Sequence, residues 1–165
     1  MGVVGAGKTT VGSLLAQKLG WQFADADDFH PAPNVEKIRR GMPLDDSDRA
    51  PWLAALHDAI LHWNLEGRNA VLACSALKRK YRDILGVDGV RFVYLKGDYE
   101  LIEQRLRTRR GHFASDSILK SQFEDLENPD DAITIEVDKP PEAIVSEIID
   151  KLKPTSLAYP DRAQK

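Results

Sequence analysis

Residues 2–9 carry the most specific chemical pattern in this 165-residue sequence. They read GVVGAGKT and match G-x-x-x-x-G-K-[ST] at every defined position. Glycines allow a tight turn whose backbone N–H groups point inward, and the helix that follows adds its positive end. Such a loop binds the phosphates of a nucleoside triphosphate, with Lys8 at the β- and γ-phosphates and the Thr9 hydroxyl on Mg²⁺. The alternative is an ordinary glycine-rich turn before a helix.

A group of acids ends the next apolar segment, where residues 25–28 read DADD. If residues 21–25 and the acids after them are extended, Asp25 and Asp27 project to one side, because side chains alternate along a strand. Their carboxylates suit an outer Mg²⁺ ligand at Asp25 and a base for an attacking hydroxyl at Asp27. The alternative is a solvated acidic turn, and Asp28 is interpreted as a turn residue.

A basic pair follows the apolar run at residues 70–74. Lys78 and Arg82 are four residues apart, so a helix would place both on one face. Two cations at the carboxyl end of a strand suit an anionic substrate. A solvated basic helix is the alternative.

A second basic cluster contains Arg105, Arg107, Arg109 and Arg110, followed by GHF at residues 111–113. A closing loop that delivers arginines would stabilise charge on a transferring phosphoryl group. Arg105 and Arg109 share a helix face and are the candidates, whereas surface charge explains the other two. An RNA-binding patch is disfavoured because no stacking aromatic residues lie between the arginines.

The histidines divide into two kinds. His30 lies beside the acidic segment and His112 beside the arginines, so both are candidates to hydrogen-bond a substrate. His57 and His62 lie in a helical pattern and are interpreted as structural or solvent-facing. No His–Cys or His–Glu spacing indicates zinc, and the single cysteine, Cys74, has no partner in the sequence for a disulfide.

Strand and helix patterns alternate along the chain, which predicts an α/β fold with a parallel sheet covered by helices on both faces. The ligand site is then expected at the carboxyl ends of the strands. Asp48 is the expected N-cap of a long helix whose core side carries Trp52, Leu53, Leu56, Ile60 and Trp63. Strands are predicted at 21–25, 70–74, 90–95 and 133–137, and helices after residue 7 and at 31–40, 77–85, 100–109, 117–126 and 142–152.

The composition predicts one globular domain. Hydrophobic residues make up 42% and charged residues 30%, and the net charge of −3 gives no overall basic field to attract nucleic acid. Apolar stretches are too short to span a membrane, and no secretory leader is apparent, so a cytoplasmic location is expected. The polar stretch 154–165, with two prolines, is expected to be disordered.

Several segments together resemble the gluconokinase family of P-loop kinases. The phosphate-loop motif is shared by all P-loop enzymes, whereas CSALKRKYRD and DDFHP are far more specific. The resemblance covers roughly residues 1–152. Its matching stretches are 1–9, 25–31 (DADDFHP), Asn34, 41–45 (GMPLD), Asp48 with Arg49, 51–53 (PWL), 74–83 (CSALKRKYRD), 94–97 (YLKG), 111–113 (GHF) and 121–124 (SQFE).

The resemblance implies a three-layer P-loop fold of the nucleoside-monophosphate-kinase type, with a five-stranded parallel sheet and an arginine-bearing lid near residues 107–117 of a domain spanning 1–153. It also implies Mg²⁺-dependent transfer of the γ-phosphate of ATP to the 6-hydroxyl of D-gluconate by a homodimer. The implied nucleotide contacts are Gly2, Gly5, Ala6, Gly7, Lys8, Thr9 and Thr10. The implied substrate contacts are Asp27, His30, Arg49, Lys78, Arg82, His112 and Gln122. The implied catalytic residues are Lys8, Asp27, Arg105 and Arg109, and the implied metal ligands are Thr9 and Asp25.

The sequence departs from this family before the phosphate loop, where a central strand is expected and almost no residues precede Gly2. Loss of that strand would leave its neighbours without ladder partners and open the core. A longer protein with a segment upstream of Met1 and a shortened form are both compatible with this departure. Two functional alternatives stay open: a shikimate or nucleoside-monophosphate kinase of the same fold, and a truncated, non-catalytic nucleotide-binding protein.

Overall fold

The computed structural model describes residues 1–108 and 115–152, in which each strand is followed by one or two helices. The elements are α1 (Lys8–Leu19), β1 (Gln22–Asp25), a 3₁₀ turn (Ala26–Phe29), α2 (Ala32–Arg39), α3 (Asp46–Leu65), β2 (Ala70–Ala73), α4 (Arg79–Leu85), β3 (Val93–Lys96), α5 (Tyr99–Thr108), α6 (Ser115–Asp125), β4 (Ile133–Glu136) and α7 (Pro141–Leu152). The predicted α/β alternation is therefore confirmed. Within the described ranges, no helix has the length and apolarity needed to cross a membrane.

The four strands of the described residues form two parallel pairs. β1 pairs with β2, and β3 pairs with β4. Parallel pairing brings the carboxyl ends of each pair to the same edge, where the chain turns toward its next helix. The five-stranded sheet implied by the resemblance is replaced by two separate pairs in this part of the chain.

Met1 lies between the two pairs and hydrogen-bonds as a strand residue does. Its nitrogen donates to the Val93 carbonyl at 2.6 Å, and the Leu95 N–H donates to the Met1 carbonyl at 2.9 Å. On the other side, the Gly2 N–H donates to the Ser75 carbonyl at 3.2 Å. The phosphate loop therefore starts between β2 and β3, at the carboxyl ends of the strands.

Beside Met1, a cavity of about 270 Å³ separates β2 from β3. Its lining is mainly apolar and includes Val71, Leu72, Trp63, Phe92 and Val93. The first three residues of β2 are only partly buried, although the unbroken apolar run predicted a strand covered on both faces. The cavity explains the difference, because it borders β2 and leaves the first three residues of the strand without close packing on that side.

Burial of the Met1 amino group, with a smaller contribution from the Lys8 charge, lowers its pKa from 8.0 to about 5. Between these values the unfolded chain binds more protons than the folded chain, so stability rises with pH through this window. For a polypeptide beginning at Met1, we expect acetylation of the amine to remove that contribution. The acetylated form should be more stable by roughly 1 kcal/mol at pH 7 and by up to about 4 kcal/mol near pH 5.

Thermal melting of the two forms between pH 5 and 8 checks this expectation. Comparing the two forms isolates the amine, because the other titrating groups are common to both. Melting curves that stay a constant distance apart across this pH range would contradict it.

Two apolar cores lie on opposite faces of β2, because Val71 packs into one core and Leu72 into the other. The first core collects side chains from the phosphate loop, α1, β3, β4, α5, α6 and α7, including Leu15, Leu95, Ile102, Leu106, Leu119 and Ile148. The second is built on α3 and α4, including Trp52, Leu56, Ile60, Tyr81 and Leu85. The predicted core side of α3 is confirmed for Trp52, Leu53, Leu56 and Ile60, whereas Trp63 is only partly buried.

The start of α3 differs from the prediction. Asp45 is the N-cap and Asp48 is the third residue of the helix, not the cap. The two form a capping box: the Asp48 N–H donates to Asp45 Oδ1 at 2.9 Å, and the Asp45 N–H donates to Asp48 Oδ2 at 3.1 Å. Either acid can accept a hydrogen bond from a free N–H at a helix start, so the sequence alone did not show which of the two is the N-cap.

Candidate active site

The phosphate loop has the conformation that its glycines predict. Gly2, Gly5 and Gly7 all have positive φ, at 144°, 82° and 94°. A Cβ at Gly2 would lie 2.8 Å from the Leu95 carbonyl oxygen, so the loop passes too close to β3 for any side chain there. α1 begins directly after Gly7, which turns the N–H groups of the helix start toward the loop. This geometry forms an anion-binding concavity.

Lys8 reaches across this loop. Its ammonium group donates to the Val3 carbonyl at 2.9 Å. Burial lowers the pKa of Lys8, and the negative charge of Asp27 is the largest influence that opposes the shift. A partly buried cation beside the start of α1 would interact strongly with a phosphate, because water screens its charge less than at an exposed position.

Thr9 and Asp25 join the loop to the end of β1. The Thr9 hydroxyl donates to Asp25 Oδ2 at 3.0 Å. Hydroxyl and carboxylate oxygens are suitable donors for Mg²⁺, which commonly takes one or two protein ligands and completes its shell with phosphates and water. Among the described residues there is no group of three or more His, Cys, Asp or Glu side chains that could hold a metal. The pair fits Mg²⁺ only together with a bound phosphate.

The predicted relation between Asp25 and Asp27 is wrong in its geometry. β1 ends at Asp25, and Asp27 lies in the 3₁₀ turn, so the two do not alternate along one strand. Asp25 instead caps the turn, accepting the Asp27 N–H at 3.2 Å. The turn still leaves Asp27 exposed and close to Lys8. The negative charge of Asp27 opposes part of the fall in the pKa of Lys8. The Asp27 carboxylate is therefore open to solvent beside the phosphate loop.

His30 follows the same turn and stacks on Trp52, with ring centroids 4.7 Å apart and planes 13° from parallel. Burial lowers the pKa of His30, and Arg49 adds to this, while Asp27 opposes it. A neutral imidazole can both donate and accept a hydrogen bond. Trp52 also donates from Nε1 to the Ala26 carbonyl at 2.7 Å, which anchors the turn to α3.

Arg49 is oriented by a tyrosine that the sequence analysis did not single out. The Tyr81 hydroxyl accepts from Arg49 Nη1 at 3.2 Å and donates to Asp46 Oδ1 at 2.7 Å. Hydrogen bonds from Lys80 and then Tyr81 lower the pKa of Asp46 to about 2, so it is ionised at neutral pH. The signal for Tyr81 was present in the CSALKRKYRD segment, but its partners lie on α3 and cannot be deduced from spacing.

Lys78 and Arg82 do not share a helix face, contrary to the prediction. Lys78 has an extended backbone as the N-cap of α4 and pairs with Asp125 at 3.1 Å. Arg82 is buried, and its Nη1 donates to the carbonyls of Ala76 and Leu77 at 3.0 and 2.8 Å. Ala76 has a φ of 45°, which is uncommon for a residue with a side chain. Arg82 thus supports the turn that carries Lys78.

The predicted lid arginines are only partly within the described residues. Arg105 lies in the last turn of α5, and its Nη2 donates to the Val137 carbonyl after β4. Arg107 pairs with Glu103 at 3.0 Å. Arg109 and His112, and the predicted tail at 154–165, lie outside the described ranges.

Gln122 is placed on the phosphate loop. Its Oε1 accepts the Val4 N–H at 2.6 Å.

The structure brings most of the predicted site residues together at one edge of the strands. They are the phosphate loop, Lys8, Thr9, Asp25, Asp27 and Gln122, with His30 and Arg49 nearby on the α3 side. Lys78 instead forms an ion pair with Asp125 on α6, and Arg82 is buried.

Comparison with known proteins identifies a family for this arrangement. The sequence model described as "Shikimate kinase" matches residues 4–153. A "Probable gluconokinase" of Rattus norvegicus is 47% identical over 93% of this chain and 95% of its own length. The "Thermoresistant gluconokinase" of Escherichia coli (strain K12) is 43% identical over 93% of this chain and 91% of its own length.

A solved structure supports the same grouping. The gluconokinase from Sinorhizobium meliloti 1021 superposes with a TM-score of 0.77 and 37% identity, covering 92% of each chain. The α/β architecture described above is therefore that of the P-loop kinases.

Proposed function

This chain belongs to the shikimate kinase family and, by its relatives, to the gluconokinases, and from that membership we propose that it transfers the γ-phosphoryl group of ATP to D-gluconate. The observation that carries the proposal is the contact between the phosphate loop and the end of β1, where Thr9 Oγ1 lies 3.0 Å from Asp25 Oδ2. This contact joins a triphosphate-binding loop to a carboxylate suited to Mg²⁺ and places the exposed Asp27 beside both.

The proposed reaction is an in-line transfer. The 6-hydroxyl oxygen of gluconate bonds to the γ-phosphorus, the bond from that phosphorus to the β–γ bridging oxygen breaks, and ADP leaves. Asp27 accepts the hydroxyl proton, and Lys8 stabilises the charge that develops on the phosphoryl oxygens. Mg²⁺, bound at Thr9 and Asp25 together with the phosphates, would neutralise further charge there.

The acceptor side is proposed at His30, Arg49 and Lys78. A gluconate carboxylate needs a cation, and its hydroxyls need groups that donate and accept hydrogen bonds. Arg49 supplies the charge, Lys78 would add to it on leaving its ion pair with Asp125, and the neutral imidazole of His30 supplies the second kind of contact. Arg82 contributes indirectly, because it supports the turn that carries Lys78. Arg105 and Arg109, with His112, stay proposed lid contributors.

The finer assignments extend the same proposal. We propose one kinase domain at residues 1–153, with a lid near residues 107–117. We also propose that the protein is a cytoplasmic homodimer that binds neither nucleic acid nor membranes. The resemblance to gluconokinases supports the lid, the dimer and the use of Mg²⁺, and the composition supports the location.

A coupled assay of ADP release tests the proposed substrate. With saturating MgATP, we expect turnover with D-gluconate, and a kcat/KM for shikimate and for nucleoside monophosphates lower by at least about a hundredfold, because a site built to hydrogen-bond particular hydroxyls discriminates strongly against other acceptors. Faster turnover of shikimate would contradict the proposal and favour the function named by the family model. ATP binding without turnover of any acceptor would favour a non-catalytic role.

A further inference from the structure

α6 is held firmly against the phosphate-loop side of the molecule. Leu119 is completely buried in the first core, and the Phe123 ring lies 5.3 Å from that of Tyr99 on α5. Gln122, which directly precedes Phe123, accepts the Val4 N–H at 2.6 Å. A side chain on a fixed helix therefore holds one peptide plane of the loop.

Val4 lies between Gly2 and Gly5, the two loop glycines with positive φ on either side of it. Glycines give the loop its shape but also make alternative shapes accessible, and ordering such a segment on ligand binding costs conformational entropy. A hydrogen bond from a fixed helix to the peptide between the glycines removes part of that freedom before the nucleotide arrives. Binding is then tighter because less ordering remains to be done.

The same helix also holds the acceptor-side turn. Asp125 at its end pairs with Lys78, and just beyond it the Glu127 N–H donates to the Leu77 carbonyl at 3.0 Å. The Glu127 carboxylate in turn accepts the Arg79 N–H. α6 thus contacts the phosphate loop at one point and the Lys78 turn at another.

We propose that Gln122 is a positioning residue of the phosphate loop: its side-chain oxygen fixes the Val4 peptide and thereby sets the loop shape that receives the triphosphate. It acts on the nucleotide side through Val4, rather than by direct contact with the acceptor as the resemblance implied. The kinetic part of this inference rests on the proposed function, whereas the loop geometry does not.

Three substitutions separate this role from others. Gln122→Leu removes the acceptor oxygen, Gln122→Asn keeps the amide but is too short to reach Val4, and Gln122→Glu keeps an oxygen at the same reach. We expect the Leu and Asn variants to raise the KM for MgATP by about fivefold to tenfold, as the loss of one hydrogen bond predicts, with the KM for gluconate changed less than twofold. Lys120→Gln, at an exposed position of α6, is the matched control.

Amide exchange measured by NMR gives a readout that does not depend on the reaction. The Val4 N–H should exchange at least about fivefold faster in the Leu and Asn variants than in the wild type. Protection should be retained in the Glu variant, even though its negative charge can itself weaken nucleotide binding. Calorimetric MgATP affinity should fall in parallel with Val4 protection in the Leu and Asn variants.

Two results would overturn the proposal. One is a rise in the KM for gluconate with an unchanged KM for MgATP, which would assign Gln122 to the acceptor. The other is a lower melting temperature with unchanged Val4 exchange and MgATP affinity, which would assign it to packing alone. If gluconate is not phosphorylated at all, the proposed function fails, but the exchange and calorimetry still decide the role of Gln122.

Discussion

Lys8→Met is expected to lower kcat by about a thousandfold, the magnitude typical of removing a preorganised charge or donor aimed at a transition state. The ammonium group lies across the loop, 2.9 Å from the Val3 carbonyl, where partial burial reduces its screening by water. Methionine retains most of the side-chain length and apolar stem without the charge. Steady-state kinetics at saturating MgATP and gluconate measure the effect, and calorimetry measures the accompanying loss of MgATP affinity.

The stability of this variant should not fall with its activity. Because burial lowers the pKa of Lys8, the charged form is disfavoured in the folded protein, so an apolar replacement should leave the melting temperature unchanged or raise it. Lys18→Met, at an exposed position of α1, is the control that should leave kcat unchanged. Turnover close to that of the wild type in Lys8→Met would remove Lys8 from the reaction and with it the proposed mechanism.

The phosphate loop could be predicted from the sequence because its determinants are local. Glycine supplies the positive φ at Gly2, Gly5 and Gly7, and the following helix begins where the motif places it. The same holds for the end of α1, where Gly20 adopts the left-handed conformation expected of a C-cap. In each case the residue type decides the backbone, and no distant partner is needed.

The rest of the site depends on contacts between residues far apart in the sequence. Gln122 and Val4 are separated by 118 positions, and Arg49 meets Tyr81 across 32. Periodicity cannot supply such pairings, because it gives the direction of a side chain within one element only. Arg82 shows the consequence: a helical spacing placed it beside Lys78, whereas the N-cap conformation of Lys78 and the carbonyl of Ala76 direct it inward.

Asp27 is a related case, in which the residue was identified correctly as a neighbour of the phosphate loop but for the wrong geometric reason. Strand alternation predicted its direction, yet a local hydrogen bond to Asp25 Oδ1 ends the strand and forms a 3₁₀ turn. An aspartate accepting the N–H two residues on is a common turn-forming contact. The sequence contained this signal as the alternative of an acidic turn, which the structure confirms, whereas the role of Asp27 as a base stays a prediction.

Asp27→Asn is expected to lower kcat by about a hundredfold to a thousandfold, while the Kd for MgATP stays within about threefold. Asparagine preserves the size of the side chain and its hydrogen-bonding oxygen but cannot take the proton of the acceptor hydroxyl. The turn itself should persist, because its anchors are the Asp25 carboxylate and the Trp52 indole, which bind the backbone of residues 26 and 27. Single-turnover kinetics with gluconate and calorimetry with MgATP separate the two effects.

Neighbouring carboxylates provide the controls that give this result its meaning. Asp28→Asn changes an exposed acid in the same turn and should leave kcat nearly unchanged, which excludes a general effect of negative charge.

Asp25→Asn should instead raise the Mg²⁺ concentration needed for half-maximal activity, because it weakens the oxygen ligand that Thr9 contacts at 3.0 Å. If Asp27→Asn lost MgATP affinity as severely as kcat, Asp27 would belong with the metal ligands, and the acceptor proton would need another base. Because Asp27 lies exposed on a turn that the Trp52 indole fixes, the structure favours the first outcome.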